Sequence, residues 1–302
     1  MKTVHFDVDG KIKKYLKGIF YSFPLTPLNL KKIPNKEKIK IISLKSQSTI
    51  DKKVLKSFPE LKLIIARTVG VDNIDLQACR DKHIQVKNIP DYGAANVAEQ
   101  TLALLLAGAR GIVQADKEVH KGRFFYENFL GTSFQGKTLG VVGTGRIGLE
   151  FIKLVKNFGM KIICFDVLKN EKAKNDLNFS YVSLDFLMKK SDFISIHVPL
   201  LKSTQHLIGE KEIKLMKKYV ILVNTARGEI IDEKALIKNV KKFKAVCLDV
   251  IENEKSFSRE NPLLKYNNIV ITPHIAFYTD ASIKTIAEKT KEIIKDYLKK
   301  NG

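Results

Sequence analysis

Gly143, Gly145 and Gly148 stand in the spacing G-x-G-x-x-G, directly after the apolar run Thr138-Leu-Gly-Val-Val and before a helix-compatible segment. Each glycine answers a separate steric demand. The first allows a tight turn, the second lets the backbone approach a pyrophosphate, and the third lets helix and strand pack closely. The helix that follows would offer its unpaired N–H groups and a partial positive charge to the phosphates. A second apolar run, Lys161-Ile-Ile-Cys-Phe, ends in Asp166. That places a carboxylate 18 residues beyond the last glycine, close to the roughly 20 at which an acid hydrogen-bonds the adenosine ribose. Its charge repels a 2′-phosphate, so the expected cofactor is NAD rather than NADP.

Three more apolar runs end in polar residues fit for proton and hydride chemistry. Val223-Asn-Thr-Ala leads to Arg227, Leu248-Asp249-Val-Ile-Glu-Asn to Glu254, and Ile271-Thr-Pro to His274. Ligands of open α/β sheets bind beyond the carboxyl ends of strands, which would gather these residues along one edge. A guanidinium there can clamp a substrate carboxylate with two hydrogen bonds. An imidazole can take up the hydroxyl proton of an alcohol as its hydride leaves for a nicotinamide. A carboxylate on the other ring nitrogen would orient the imidazole and favour the charged form that protonates a carbonyl in the reverse direction.

The elements that must hold these residues alternate along the chain. In the first hundred residues, Thr3–Val8, Ile39–Ser43, Leu61–Ala66 and Ile84–Ile89 read as strands, separated by lysine-rich segments such as the helical Asp51–Phe58. Asn96 to about Val119 reads as one long helix. From Leu139 the strand–helix rhythm resumes through Ile162–Phe165, Phe193–Val198, Val220–Val223, Ala245–Val250 and Ile269–Thr272. Ala281–Leu298 reads as a closing amphipathic helix, apolar at Ile283, Ile286, Ile293, Ile294, Tyr297 and Leu298. Strands alternating with helices imply parallel sheets covered on both faces. The fold class expected is α/β, with two doubly wound parallel-sheet domains.

Composition narrows the function classes. The chain has 302 residues, 44% hydrophobic and 28% charged, which are values of a globular protein large enough for two cores. Its longest apolar run, Leu102–Gly108, is too short to span a bilayer. The charged N-terminus lacks the apolar run of a secretory signal. Cys79, Cys164 and Cys247 lie far apart without metal-ligand spacing, so no metal site and a reducing, cytoplasmic setting are expected. The net charge of +21 comes almost wholly from scattered lysines, with no arginine-rich block and no basic ribbon interleaved with aromatics, so no nucleic-acid partner is expected. Phe6-Asp-Val-Asp-Gly10 imitates the nucleophile motif of haloacid-dehalogenase phosphatases, but Lys11 follows where that motif carries Thr or Val; a strand ending in an acidic turn is the expected form.

Over almost its whole length the chain resembles the D-isomer-specific 2-hydroxyacid dehydrogenase family. The resemblance rests on Arg67-Thr-Val-Gly-Val-Asp-Asn-Ile-Asp, Asn96-Val-Ala-Glu, Gly143–Gly148, His197-Val-Pro, Asn224-Thr-Ala-Arg-Gly, Leu248-Asp-Val and Thr272-Pro-His-Ile-Ala. It implies Arg227 as substrate anchor, Glu254 as the partner of the histidine, and His274 as acid and base. It also implies that the N–H groups of Val69 and Gly70 bind the substrate carboxylate and that Arg146 and Ile147 contact the pyrophosphate. Asp249 would hold the nicotinamide amide, and His197, Val198, Pro199, Thr225 and Ala226 would line the cofactor groove. A flavodoxin-like substrate domain, residues 1–97 completed by 278–302, and a Rossmann domain, residues 98–277, are the implied organisation, with a homodimer as the implied assembly. Formate dehydrogenases of the same fold pair the histidine with glutamine, so Glu254 favours hydroxy-acid chemistry.

The substrate signals divide. Phe277, three residues past the histidine, and Tyr92 resemble the D-lactate dehydrogenase branch, in which an aromatic packs on a small apolar substrate. Lys45, in Ser43-Leu-Lys-Ser-Gln-Ser-Thr, resembles the phosphoglycerate and hydroxypyruvate branch, in which a cation meets an anionic or polar tail; it could equally point to solvent. Pyruvate and D-lactate are the expected pair, with a hydroxypyruvate or glyoxylate reductase and a 3-phosphoglycerate dehydrogenase as alternatives. The NAD-sensing transcriptional corepressors share the fold and the three polar residues, so a binding protein is the alternative outside enzymes.

Overall fold

The computed structural model describes residues 3–90 and 92–301. The chain forms two compact units, Met1–Gly93 with Tyr278–Gly302, and Ala94–Phe277.

The first unit is a five-stranded parallel sheet of β1 (Thr3–His5), β2 (Ile19–Phe20), β3 (Ile41–Leu44), β4 (Leu63–Ala66) and β5 (Gln85–Asn88), in the order β2-β1-β3-β4-β5. Alternation along the strands feeds two apolar layers. On one face Val4, Phe6, Ile42, Leu44 and Ile64 pack with Val54, Leu55, Ala78 and Cys79 of the helices Lys52–Lys56 and Leu76–Asp81. Those helices start at Asp51 and Asp75, whose carboxylates accept the N–H groups of Val54 and Ala78. On the other face Ile41, Leu63 and Ile65 meet Ile293, Ile294 and Tyr297 of the closing helix Asp280–Asn301. Leu298, expected on that apolar face, is instead 37% exposed. The acidic stretch after β1 is a turn and a cap: Asp7 takes a left-handed backbone (φ 55°), and Asp9 caps the short helix Gly10–Lys13.

The second unit is a seven-stranded parallel sheet. Its strands are β6 (Thr138–Val142), β7 (Lys161–Phe165), β8 (Ser180–Tyr181), β9 (Phe193–Ile196), β10 (Val220–Asn224), β11 (Phe243–Leu248) and β12 (Ile269–Ile271). They lie in the order β12-β11-β10-β9-β6-β7-β8, so the winding reverses between β6 and β9. The central strands β9 (Phe-Ile-Ser-Ile) and β10 (Val-Ile-Leu-Val-Asn) are buried along their whole length, as a sheet covered on both faces requires. The expected single helix from Asn96 to Val119 is two, Ala94–Arg110 and Ile112–Val119. Gly111 separates them with a left-handed backbone (φ 62°), a conformation glycine adopts without steric cost. The first of the pair packs closely on the sheet: a Cβ at Gly108 would lie 2.6 Å from the Cys247 sulfur.

Candidate active site

In the second unit, register brings the chemistry-bearing residues to one edge. Asn224 pairs with Leu248, and Leu248 with Ile271, so the chain leaves β10, β11 and β12 side by side toward Arg227, Glu254 and His274. Asn224 shapes the first of these loops. Its side chain donates to the Arg227 carbonyl at 2.8 Å and accepts the Ala226 N–H at 3.0 Å. Gly228 is obligatory there, because a Cβ would fall 2.0 Å from the Ile251 carbonyl carbon. The half-buried Arg227 donates from Nη1 to the Ala226 carbonyl at 2.7 Å.

The three carboxylates that follow β11 have three different partners. Asp249, 1% exposed, accepts the Thr272 hydroxyl and the N–H groups of Ile275 (3.0 Å) and Ala276 (2.8 Å). Glu252 meets His206 Nε2 at 2.7 Å. Glu254 lies 2.9 Å from His274 Nδ1, with both side chains about a third exposed. His274 itself has a left-handed backbone (φ 53°), and its N–H donates to the Asp249 and Thr272 carbonyls at 2.9 Å each. A non-glycine residue in that conformation needs its surroundings to hold it there. The Asp249 carboxylate and carbonyl do so, which makes this acid the clasp of the histidine loop. The Phe277 ring stands edge-on to the imidazole at 6.2 Å between centroids.

Geometry in the glycine loop suits a dinucleotide. Gly143 lies next to the sheet's reversal, with φ 100°, and a Cβ on it would press to 2.8 Å from the His197 carbonyl carbon. A Cβ on Gly148 would fall 2.1 Å from the Gly143 oxygen, whereas one on Gly145 would meet nothing within 4 Å. The loop is therefore closed behind and bare in front. The helix Arg146–Val155 starts at Gly145 without a side-chain cap, unlike the helices capped by Asn170, Ser183 and Asp232. Its first N–H groups, those of Arg146, Ile147 and Gly148, are thus placed to receive a phosphate. Asp166 follows β7 directly and accepts the Thr144 N–H at 2.6 Å and its hydroxyl at 3.0 Å, so it also ties down the loop. In the sequence, only the place of Thr144 inside the glycine motif points to this role.

Other expected groove residues lie close by. The His197 imidazole turns inward, bonds Ser195 at 2.8 Å and packs on Phe151; burial lowers its pKa to about 3. Val198 is half-buried and Pro199 exposed. Thr225 shares a 2.8 Å hydroxyl hydrogen bond with Thr101.

In the first unit, the turn after β4 carries Val69 and Gly70. Their carbonyls accept the Asn88 amide and the Thr68 hydroxyl, and among the described residues no acceptor takes either N–H. Tyr92 is buried, its carbonyl accepting the Ser282 hydroxyl at 3.1 Å. Lys45 lies over the Tyr278 ring and donates to Asp9 at 2.9 Å. Arg67, fully buried, was not foreseen as a structural cation. Its Nη2 donates to the carbonyls of Phe6 and Asp7, and burial lowers its pKa to about 10 against the pull of Asp7 and Asp9. Among the described residues there is no cluster of side chains able to hold a metal and no helix long and apolar enough to cross a membrane.

Comparison with known proteins agrees with this architecture. Residues 102–276 match the NAD-binding domain of the D-isomer specific 2-hydroxyacid dehydrogenases. A glyoxylate reductase of Thermococcus litoralis is 43% identical over 248 residues, covering 79% of this chain and 74% of that protein. A D-3-phosphoglycerate dehydrogenase of Methanocaldococcus jannaschii is 40% identical over 275 residues, 88% of this chain; the chain spans about half (52%) of that relative's length. A solved D-lactate dehydrogenase of Aquifex aeolicus, complexed with NAD and lactic acid, superposes with a TM-score of 0.88 at 35% identity, covering 99% of this chain and 96% of that one. A two-unit parallel α/β chain with a dinucleotide loop and an Arg–Glu–His edge defines a class of nicotinamide-dependent dehydrogenases. Within that class, the chain belongs to the D-isomer specific 2-hydroxyacid dehydrogenase family, and its cofactor is NAD.

Proposed function

We propose that this chain reduces a small 2-keto acid to the D-2-hydroxy acid with NADH, with pyruvate and D-lactate as the principal pair. The observation that carries the reading is the 2.9 Å contact between Glu254 and His274 Nδ1, on the loop beside Arg227. NADH, when bound, supplies the hydride. His274 gives a proton from Nε2, the nitrogen not engaged by Glu254, to the carbonyl oxygen; in the oxidative direction it takes the hydroxyl proton back. Glu254 orients the ring and balances its charge. Arg227 holds the substrate carboxylate as a fork, and the N–H groups of Val69 and Gly70 are further donors for it.

Gly143, Gly145 and Gly148, with the N–H groups of Arg146 and Ile147, receive the pyrophosphate. Asp166 takes the ribose hydroxyls, and Val198, Pro199, Thr225 and Ala226 flank the nicotinamide side, with His197 supporting the groove from beneath. Asp249 acts on the nicotinamide amide through the loop it clasps. Phe277, edge-on to the imidazole, supports a small apolar substrate, and Tyr92 is a second aromatic for it.

Glyoxylate or hydroxypyruvate is the second reading, favoured by the 43% identity to a glyoxylate reductase. Steady-state rates with NADH and pyruvate, glyoxylate, hydroxypyruvate and 3-phosphohydroxypyruvate test the choice. A preference of about a hundredfold for the phosphorylated acid overturns it, and no turnover with any of them supports a corepressor-like binding protein.

A homodimer is proposed from the loop after the helix Ile112–Val119, where Phe124, Tyr126 and Leu130 are 93%, 82% and 87% exposed. Side chains of that size in one short segment suit a self-complementary interface. A cytoplasmic setting accords with Cys79, Cys164 and Cys247, all buried and unpaired thiols.

A further inference from the structure

In the first unit the sheet winds outward from two neighbouring strands, β1 and β3. Crevices at the carboxyl ends of strands flanking such a reversal are where open parallel sheets take ligands. Pairing of His5 with Ser43 sets the turn after β1 level with Lys45, the first residue past β3. Two opposite charges meet there. Lys45 Nζ donates to Asp9 Oδ2 at 2.9 Å, with the two side chains only 13% and 29% exposed. The Tyr278 hydroxyl also donates to Asp9, and its ring lies 5.6 Å from the Lys45 ammonium and 5.5 Å from that of Lys11. The other Asp9 oxygen accepts the N–H groups of Lys11 and Ile12 at 2.9 and 3.0 Å. Burial opposes the Asp9 charge, but these donors outweigh it and hold the carboxyl below its usual range.

Lys45 is therefore neither a loose surface cation nor an open anion receptor. Its main chain is fixed as well, with the N–H on Asp7 Oδ2 at 3.1 Å and the carbonyl accepting the Asn73 amide at 3.0 Å. A substrate tail carrying a phosphate or second carboxylate would have to displace Asp9 from the ammonium and then lie beside its negative charge. A methyl group or hydrogen would not.

We propose that Asp9 determines tail specificity: by occupying Lys45 it biases the chain toward 2-keto acids with short neutral tails and against those with anionic tails. The inference rests on the reading above that the chain reduces 2-keto acids.

The test compares kcat and KM for pyruvate with those for oxaloacetate and 3-phosphohydroxypyruvate, in the parent chain and in Asp9→Asn. Asparagine caps a helix as well as aspartate does, so Gly10–Lys13 keeps its start. The expected result is a gain on the order of tenfold in the ratio of anionic-tail to pyruvate kcat/KM, carried by KM. That gain disappears in Asp9→Asn/Lys45→Met. An unchanged ratio in Asp9→Asn, or a gain that persists in the double variant, overturns the proposal. Asp9→Ser, which also caps, replaces Asp9→Asn if the latter does not fold. A parent chain that turns over no keto acid brings down the functional reading and this inference together; one that reduces pyruvate while the ratios stay fixed brings down only the inference.

Discussion

The Gly143 carbonyl oxygen fills the space that a side chain on Gly148 would need: a Cβ there would sit 2.1 Å from it. Turn and helix are thus locked together by the absence of one carbon atom. Gly148→Ala is expected to cost about 1–3 kcal/mol of stability, because the backbone must part to admit the methyl group. It should also abolish NADH binding, read by quenching of nicotinamide fluorescence. A variant that keeps both the melting temperature and NADH affinity would contradict the close packing.

His274→Ala is expected to lower kcat by about 10²–10⁴-fold while NADH affinity stays near that of the parent chain. Glu254→Gln keeps a hydrogen-bonding partner for Nδ1 but loses the charge, so a smaller loss, about tenfold, is expected. Equal losses in the two variants would mean that the carboxylate does more than orient and balance the ring.

Arg227→Lys replaces a planar fork with a point charge. KM for the keto acid should rise and kcat/KM fall by on the order of tenfold to a hundredfold, with NADH affinity little changed. Parity with the parent chain would remove Arg227 from the substrate site.

Two buried histidines make stability depend on pH. Burial lowers the pKa of His197 to about 3, and burial with the nearby Arg67 lowers that of His5 to about 4, against an ordinary value near 6.5. Each is neutral when folded, and the unfolded chain binds the extra proton. Their stabilisation is therefore complete above pH 6.5 and is lost as pH falls from there, toward about 4 for His5 and about 3 for His197, by at most about 1.4 kcal/mol per pH unit for each. Urea midpoints measured between pH 7 and 5 should fall, and His197→Gln should flatten that slope. An identical slope in the variant would assign the acid sensitivity elsewhere.

Light scattering of the purified chain should give twice the chain mass. Phe124→Ser/Leu130→Ser should shift it to the monomer, since both side chains are almost fully exposed within one protomer. A dimer that survives the double change lies on another surface.

Much of the second unit was legible in the residues because its constraints are local. A glycine spacing, an acid at the end of the next strand and polar residues after apolar runs all survive as pattern. The break at Gly111 was not legible: a glycine within a helical run of Ala and Leu can be tolerated or can end the run, and only φ decides. The strand β2 escaped notice because two residues carry no periodicity. Long-range pairing was equally silent. Nothing near Lys45 announces Asp9, 36 residues earlier, and nothing near Asp249 announces that its carboxylate holds the histidine loop. Arg67 entered only as the first residue of a family motif, and its burial follows from the carbonyls of Phe6 and Asp7 that receive it.

Gly228 joins the arginine loop to the main chain at Ile251 and Glu252 with no space between. Any drift of one loop must carry the other along, so Arg227 and Glu254 can shift only in concert. The Lys45–Asp9 pair is a different kind of contact: two side chains meet there, while the Asp9 cap on Lys11 and Ile12 and the Lys45 main-chain bonds to Asp7 and Asn73 hold each to its own turn. On the reading proposed above, chains of this design can diversify in diet while their chemistry stays inherited, and new substrates should be sought by recombining the ends of β1 and β3 rather than those of β10 to β12.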